Sequence, residues 1–375
     1  VSGRRTPAPR ALLAVPAAVA MVVGVDAGLS LLGVWAPVHS GRLGDAHGLL
    51  MVLGFVGTLV ALERAVALGS TWGYAVPALL GSGALALLAP RVDRLGHPLL
   101  VAGTAGLCLL YVPLWRRQRD DAVLVSALGA VLALGGAVLV LGGADVPLAL
   151  PWLAGFVVLT IAGERLELAR LAMPAGAGTS LVLLGLAVTV GVPATTMWPR
   201  AGAGALGLVV LLLAAWLASY DVARRTVRGS GLPRFAAACM LAGQGWLAVA
   251  GGVWLVAGQP ADGVAYDTLV HAVFLGFALS MIMAHASSIL PAVTRVPLPY
   301  RPAMWAPWLL LQASLVLRLW GGDALGSDLA REVGGAGNAV ALLLFFVVAA
   351  ASTAMGPPAP RAVVAATDRE PEVAR

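Results

Sequence analysis

Six ionisable side chains stand within or at the ends of long apolar runs of this sequence: Asp26, His47, Glu63, Glu164, His271 and His285. A carboxylate close to hydrocarbon needs a proton, a cation or a partner, so Asp26, Glu63 and Glu164 are candidates for proton or ion handling. Imidazole is uncharged at neutral pH and a strong ligand, and two from facing helices can hold haem iron axially. His47 and His271 are accordingly candidate metal ligands, with His285 a third candidate cofactor-binding residue. Each has a simpler alternative, because a lone polar residue in a membrane helix often only hydrogen-bonds its neighbour. Asp26 in particular could cap a polar contact. His39 and His97 lie in or beside loops and are weaker candidates.

The spacing of these residues repeats. Glu63-Arg64 follows Gly54-Phe55 by nine residues, Glu164-Arg165 follows Gly155-Phe156 by nine, and His285 follows Gly276-Phe277 by nine. Those are three of only seven phenylalanines in the chain, so the coincidence points to an internal repeat with intervals of 101 and 121 residues. The alternative is that Gly-Phe marks close helix packing. Under it Arg64 and Arg165, the simpler expectation for both, end their helices at the interface and reach out to water. His47 and His271 precede their glycines by seven and five residues, a difference of roughly 3 Å of helix rise. They belong at similar depth near one membrane face. His271 and His285 are fourteen residues apart, on one face of a helix and roughly 21 Å from each other.

The elements that position these side chains must be membrane helices. Hydrophobic residues make up 60% of the chain and charged residues 11%, with a mean hydropathy of +0.91, outside the range of soluble domains. Lipid solvates apolar side chains directly, and in a hydrocarbon core roughly 30 Å thick only a helix of about 20 residues satisfies its own backbone. Apolar runs of that kind fall at 11–35, 45–68, 72–89, 96–114, 122–142, 147–170, 178–198, 200–220, 233–257, 264–290, 303–321 and 329–353. The expectation is an all-α, polytopic protein of about twelve transmembrane helices in three four-helix pseudo-repeats, 11–114, 122–220 and 233–353. Residues 1–10 form an N-terminal tail, 11–355 the transmembrane domain, and 356–375, rich in proline and charge, a disordered tail. Arg4, Arg5 and Arg10 resemble the start of a signal peptide. No clear cleavage site follows, so the first span is expected to be retained.

All 24 basic residues are arginine, which with the abundant Ala, Gly and Val reads as the codon bias of a GC-rich genome. Only Arg42, Arg91, Arg94, Arg200, Arg318 and Arg331 fall on the side opposite the N-terminus. This asymmetry fits the positive-inside rule with both termini cytoplasmic, in a bacterial cytoplasmic membrane. The charge of +6 reports topology rather than an acidic partner, and no nucleic-acid motif is present. Cys108 and Cys239 lie in apolar runs and read as buried thiols, with no disulfide or CxxC site.

Two stretches carry a resemblance. Asp45-Ala46-His47-Gly48 running into Gly54-Phe55, and more strongly His271 through Pro297, resemble the NnrS family of membrane proteins tied to nitric-oxide response. That family is similar in architecture to the catalytic subunit of haem-copper oxidases. The resemblance implies haem and copper association, carried over to His47 and His271. It implies a role in nitric-oxide or nitrogen-oxide response or respiration, with respiratory or nitrogen-oxide-handling proteins as partners besides the lipid bilayer. The chain departs from the oxidase pattern in having no histidine in its sixth and seventh spans, no His-Pro-Glu run and no His-x-His pair. Oxygen reduction by that mechanism is not expected, and enzyme activity stays open. Two other functions compete. One is an ion-coupled secondary transporter using Asp26, Glu63 and Glu164; the other is a non-catalytic subunit of a respiratory complex.

Overall fold

A computed structural model of the chain describes residues 9–38 and 40–356. His39, Arg4, Arg5 and the expected disordered tail from 357 lie outside the described residues. The described chain is helical with no sheet. Eleven helices are long and apolar enough to cross a membrane: α1 (Pro9–Leu32), α2 (Gly41–Leu68), α3 (Thr71–Leu88), α4 (Asp93–Gln118), α5 (Asp121–Leu141), α6 (Val146–Ala169), α7 (Ala177–Met197), α8 (Pro199–Tyr220), α9 (Gly231–Ala257), α10 (Gly263–Thr294) and α12 (Asp328–Met355). Between the last two, α11 (302–324) has the length but a more polar sequence, with Gln312, Arg318 and Asp323. The polarity has a use. Trp246 Nε1 of α9 donates to Gln312 Oε1 at 2.8 Å, and Gln312 Nε2 donates to Ser280 Oγ of α10 at 3.0 Å.

Sequential helices pack against each other, as short connections require. Gly33 and Gly69 end α1 and α2 with left-handed φ of 81° and 72°, which lets the chain turn back at once. The centre belongs to three helices. In the most apolar window of α2, α6 and α10 the buried share is 67%, 78% and 61%, whereas it exceeds 50% in no other. These three touch one another pairwise, and they are the second, sixth and tenth. Their Gly-Phe pairs are points of close approach. A Cβ on Gly54 would lie 2.8 Å from Ala84 Cβ, one on Gly155 would lie 2.5 Å from Leu132 Cδ1, and one on Gly276 would overlap Trp246. Phe55, Phe156 and Phe277 are all buried. Small residues serve here as in other membrane bundles, letting helices come together where lipid supplies no hydrophobic drive.

The winding of two central helices is locally wide. Leu50–Gly57 in α2 and Ala272–Leu279 in α10 are π-helical and contain the Gly-Phe pairs, and Leu317–Ala324 of α11 is π-helical too. α6 stays α-helical throughout. Such turns are rare and are frequently found at functional sites.

Helix ends are closed by arginines from other helices. Arg10 donates to the carbonyls of Ala292 and Val293 at the end of α10. Arg42 donates to Leu87 and Leu88 at the end of α3, and Arg117 to Ala67 and Leu68 at the end of α2. A guanidinium there satisfies orphan carbonyls and faces the negative end of the helix dipole.

Candidate functional site: buried ion networks of the central helices

The N-terminal end of the bundle, where α1 starts and the even-numbered helices finish, holds two adjacent networks. In the first, Arg64 of α2 is 5% exposed and reaches three carboxylates. Its NH2 lies 3.3 Å from Glu63 Oε1 and 3.4 Å from Glu164 Oε1 of α6, and its NH1 lies 3.3 Å from Glu167 Oε2. Glu164 is the least exposed of the three, at 14% of its side chain. Arg64 Nε is buried without a partner among the described residues, as is the hydroxyl of Tyr111 of α4 beside it.

The second network starts from the next residue. Arg165, 4% exposed, holds Asp221 with two parallel hydrogen bonds of 2.9 Å from Nε and NH2. Its NH1 lies 2.6 Å from His285 Nε2 of α10. A guanidinium can only donate, so His285 Nε2 accepts and Nδ1 carries the ring hydrogen, donated to Met281 O at 2.8 Å. Asp221, just past the end of α8, also accepts from Ala223 N at 3.0 Å and from Gln244 Nε2 of α9 at 3.5 Å. A cleft of about 630 Å³ opens against Asp221 at this end, lined by Met173, Pro174, Ser219, Tyr220, Arg224 and Arg225 among others.

Glu63-Arg64, Glu164-Arg165 and His285, which share one offset from Gly-Phe, thus meet where the three central helices converge. α2 reaches α6 through Arg64 and Glu164, and α6 reaches α10 through Arg165 and His285. The expectation that Arg64 and Arg165 reach out to water is corrected. Each sits one turn inside its helix end, and partners from neighbouring helices replace water.

At the opposite end His47 and His271 stand near each other, with Arg318 beside them, yet each ring hydrogen-bonds a different partner. His47 Nδ1 is 2.7 Å from Gly24 O of α1. Its ring packs against Gly28, where a Cβ would stand 2.9 Å from His47 Cε1. His271 Nδ1 is 2.9 Å from Asp267 O and 3.1 Å from Asp267 Oδ1. Arg318 of α11 clamps the same carboxylate with bonds of 2.8 and 2.7 Å. Asp26 Oδ1 accepts from Val38 N at 3.1 Å, tying α1 to the following loop, while Oδ2 is buried and unpartnered among the described residues. Asp26 is two residues from both Gly24 and Gly28, so it faces away from His47 on the far side of α1.

These surroundings correct the expectation of haem or copper at His47, His271 and His285. Among the described residues no group of three or more His, Cys, Asp or Glu side chains is arranged to hold a metal ion. The donor set does not fit either. Arg165 puts a fixed positive charge on the nitrogen of His285 that would bind a cation, and Arg318 stands beside Asp267 and His271. Cys108 and Cys239 are both free thiols.

Asp221, Glu167, Gln244, Asp267 and Arg318 were not singled out from sequence. Two signals were available: Glu167 is three residues after Glu164, and Asp267 four before His271, each on one helix face. Asp221 offers only a carboxylate between an apolar run and Arg224-Arg225.

Fold and networks together define a polytopic, all-α membrane protein with ionisable clusters buried between its central helices. The chain belongs to the family described as a domain of unknown function, DUF8744, whose model matches residues 10–354. No protein of curated function matches it. The family description names no activity, and the resemblance to NnrS proteins gains nothing from it.

Proposed function

We propose that the protein is an ion-coupled secondary transporter in which Glu63 and Glu164, with Glu167, take up a proton or small cation beside Arg64. One observation carries the reading: a single buried guanidinium is shared by three carboxylates. The excess negative charge can be neutralised by a proton or a cation, and losing that ion changes the attraction between α2 and α6. Arg165 does not supply the missing charge, because it is committed to Asp221. The site also lies where α2, α6 and α10 meet, so a change there acts on the centre of the bundle. That meeting supports reading residues 11–114, 122–220 and 233–353 as three four-helix units, each giving its second helix to the core. Asp26, with one buried oxygen free, is proposed as the ion-handling group of the opposite end. The nitric-oxide role implied by resemblance finds no support in the geometry and is not part of the proposal.

Proton movement into proteoliposomes under an imposed potential, read with an entrapped pH dye, tests it. Wild-type protein should carry protons faster than empty liposomes, and Glu164→Gln should slow that flux by about tenfold or more. Glu63→Gln is the second variant should the first not purify as a single species. Wild-type flux equal to that of empty liposomes, under both proton and sodium gradients, would overturn the reading and favour a non-catalytic subunit. Unchanged flux in both variants would remove the site from it.

A further inference from the structure

The cleft at the N-terminal end combines two features that the ion-coupling proposal does not use. Arg224 and Arg225 are exposed on its wall and have no ion-pair partner among the described residues. The nearby charges are already spent, since Asp221 is held by Arg165 and Arg170 is paired with Asp120 at 2.8 Å. The cleft is therefore a net positive recess, walled partly by Met173, Pro174 and Tyr220. The second feature is a stripe on the outward face of α8. Ala205, Leu208, Leu212, Ala215 and Ser219 are exposed and follow each other by three or four residues, the spacing of one helix face. Leu208 and Leu212 are 50% and 51% exposed. Ser219, the last of the stripe, lines the cleft. An apolar track along the helix thus ends in a positively charged recess.

We infer that this recess binds the phosphate headgroup of an anionic lipid, with an acyl chain lying on the α8 stripe. Arginine pairs phosphate through a planar fork of donors, and basic recesses between transmembrane helices suit anionic headgroups. The Ser219 and Tyr220 hydroxyls supply further donors to the headgroup. A free phosphate ion would use the arginines but leave the stripe unused, so the stripe favours a lipid.

Native mass spectrometry of the full-length protein, released from detergent with phosphatidylglycerol, phosphatidylcholine or inorganic phosphate, tests this. Wild-type protein should retain phosphatidylglycerol and not phosphatidylcholine. Arg224→Gln/Arg225→Gln should weaken retention about 30-fold, the effect of two basic residues beside an anionic headgroup. Arg116→Gln/Arg119→Gln, at the same end and also exposed but not lining the cleft, should leave it within about threefold of wild type, as removal of screened surface charge would. Arg225→Gln alone serves if the first pair does not purify intact. Equal loss in both pairs would show attraction to surface charge in general and overturn the site. So would retention of phosphatidylcholine, or displacement of the lipid by inorganic phosphate at equal concentration, which would make it a site for the free ion.

Discussion

Arg165 is the residue on which the second network depends. It offers donors on three nitrogens and places them on Asp221 and His285, and all three residues are buried. Truncating one partner of a buried pair leaves the other uncompensated, at a cost of about 3–5 kcal/mol. Arg165→Met should therefore lower stability by that amount in detergent unfolding experiments, and adding Asp221→Asn should recover part of the loss. A double variant destabilised by the sum of the two single variants would mean that the pair is not coupled. The level shared by Glu63, Glu164 and His285 was legible in the sequence, because their offset from Gly-Phe is the same. Their partners were not. Arg165 and Asp221 are 56 residues apart, Arg165 and His285 are 120 apart, and no local pattern links positions so distant. For the same reason an arginine near a helix end reads as reaching for water until the neighbouring helix that replaces the water is known.

Among the elements, α8 and α9 approach each other backbone to backbone. A Cβ on Gly207 would overlap the backbone nitrogen of Leu255 and stand 2.6 Å from Gly251 O, so backbone rather than side chain would have to move. Gly207→Val should cost about 1–3 kcal/mol, the range for forced overpacking, and lower the midpoint of thermal unfolding. Gly204→Ala is the matched control: its Cβ would meet only Leu255 O, at 3.8 Å, and the midpoint should stay put. Hydropathy located these helices well, since apolar run length is what a bilayer selects. The limits of the expected eleventh span, 303–321, fall inside the observed 302–324. Hydropathy does not rank helices by centrality, because lipid-facing and protein-facing surfaces are equally apolar. The Gly-Phe pairs did mark α2, α6 and α10, through close approach rather than through apolar character. The π-helical turns left no sequence trace, since Leu50–Gly57 reads like any other apolar run.

For the whole molecule, we propose that α11 crosses along with the eleven apolar helices, which with the arginine asymmetry would put the start of α1 and the end of α12 on the cytoplasmic side. Reporter enzymes fused at either terminus should both be active only in the cytoplasm; opposite reports from the two fusions would mean that α11 does not cross. The arginine clasps add a constraint in time. A membrane protein is made from its N-terminus, and α1 exists long before α10 does. Yet Arg10, at the start of α1, finds its carbonyls at Ala292 and Val293, and α1 also packs against α12. α1 is therefore synthesised long before the helices that complete its seat. Until α10 and α12 have been made, α1 waits with part of its surface uncovered, so a chain interrupted before α10 leaves that seam open.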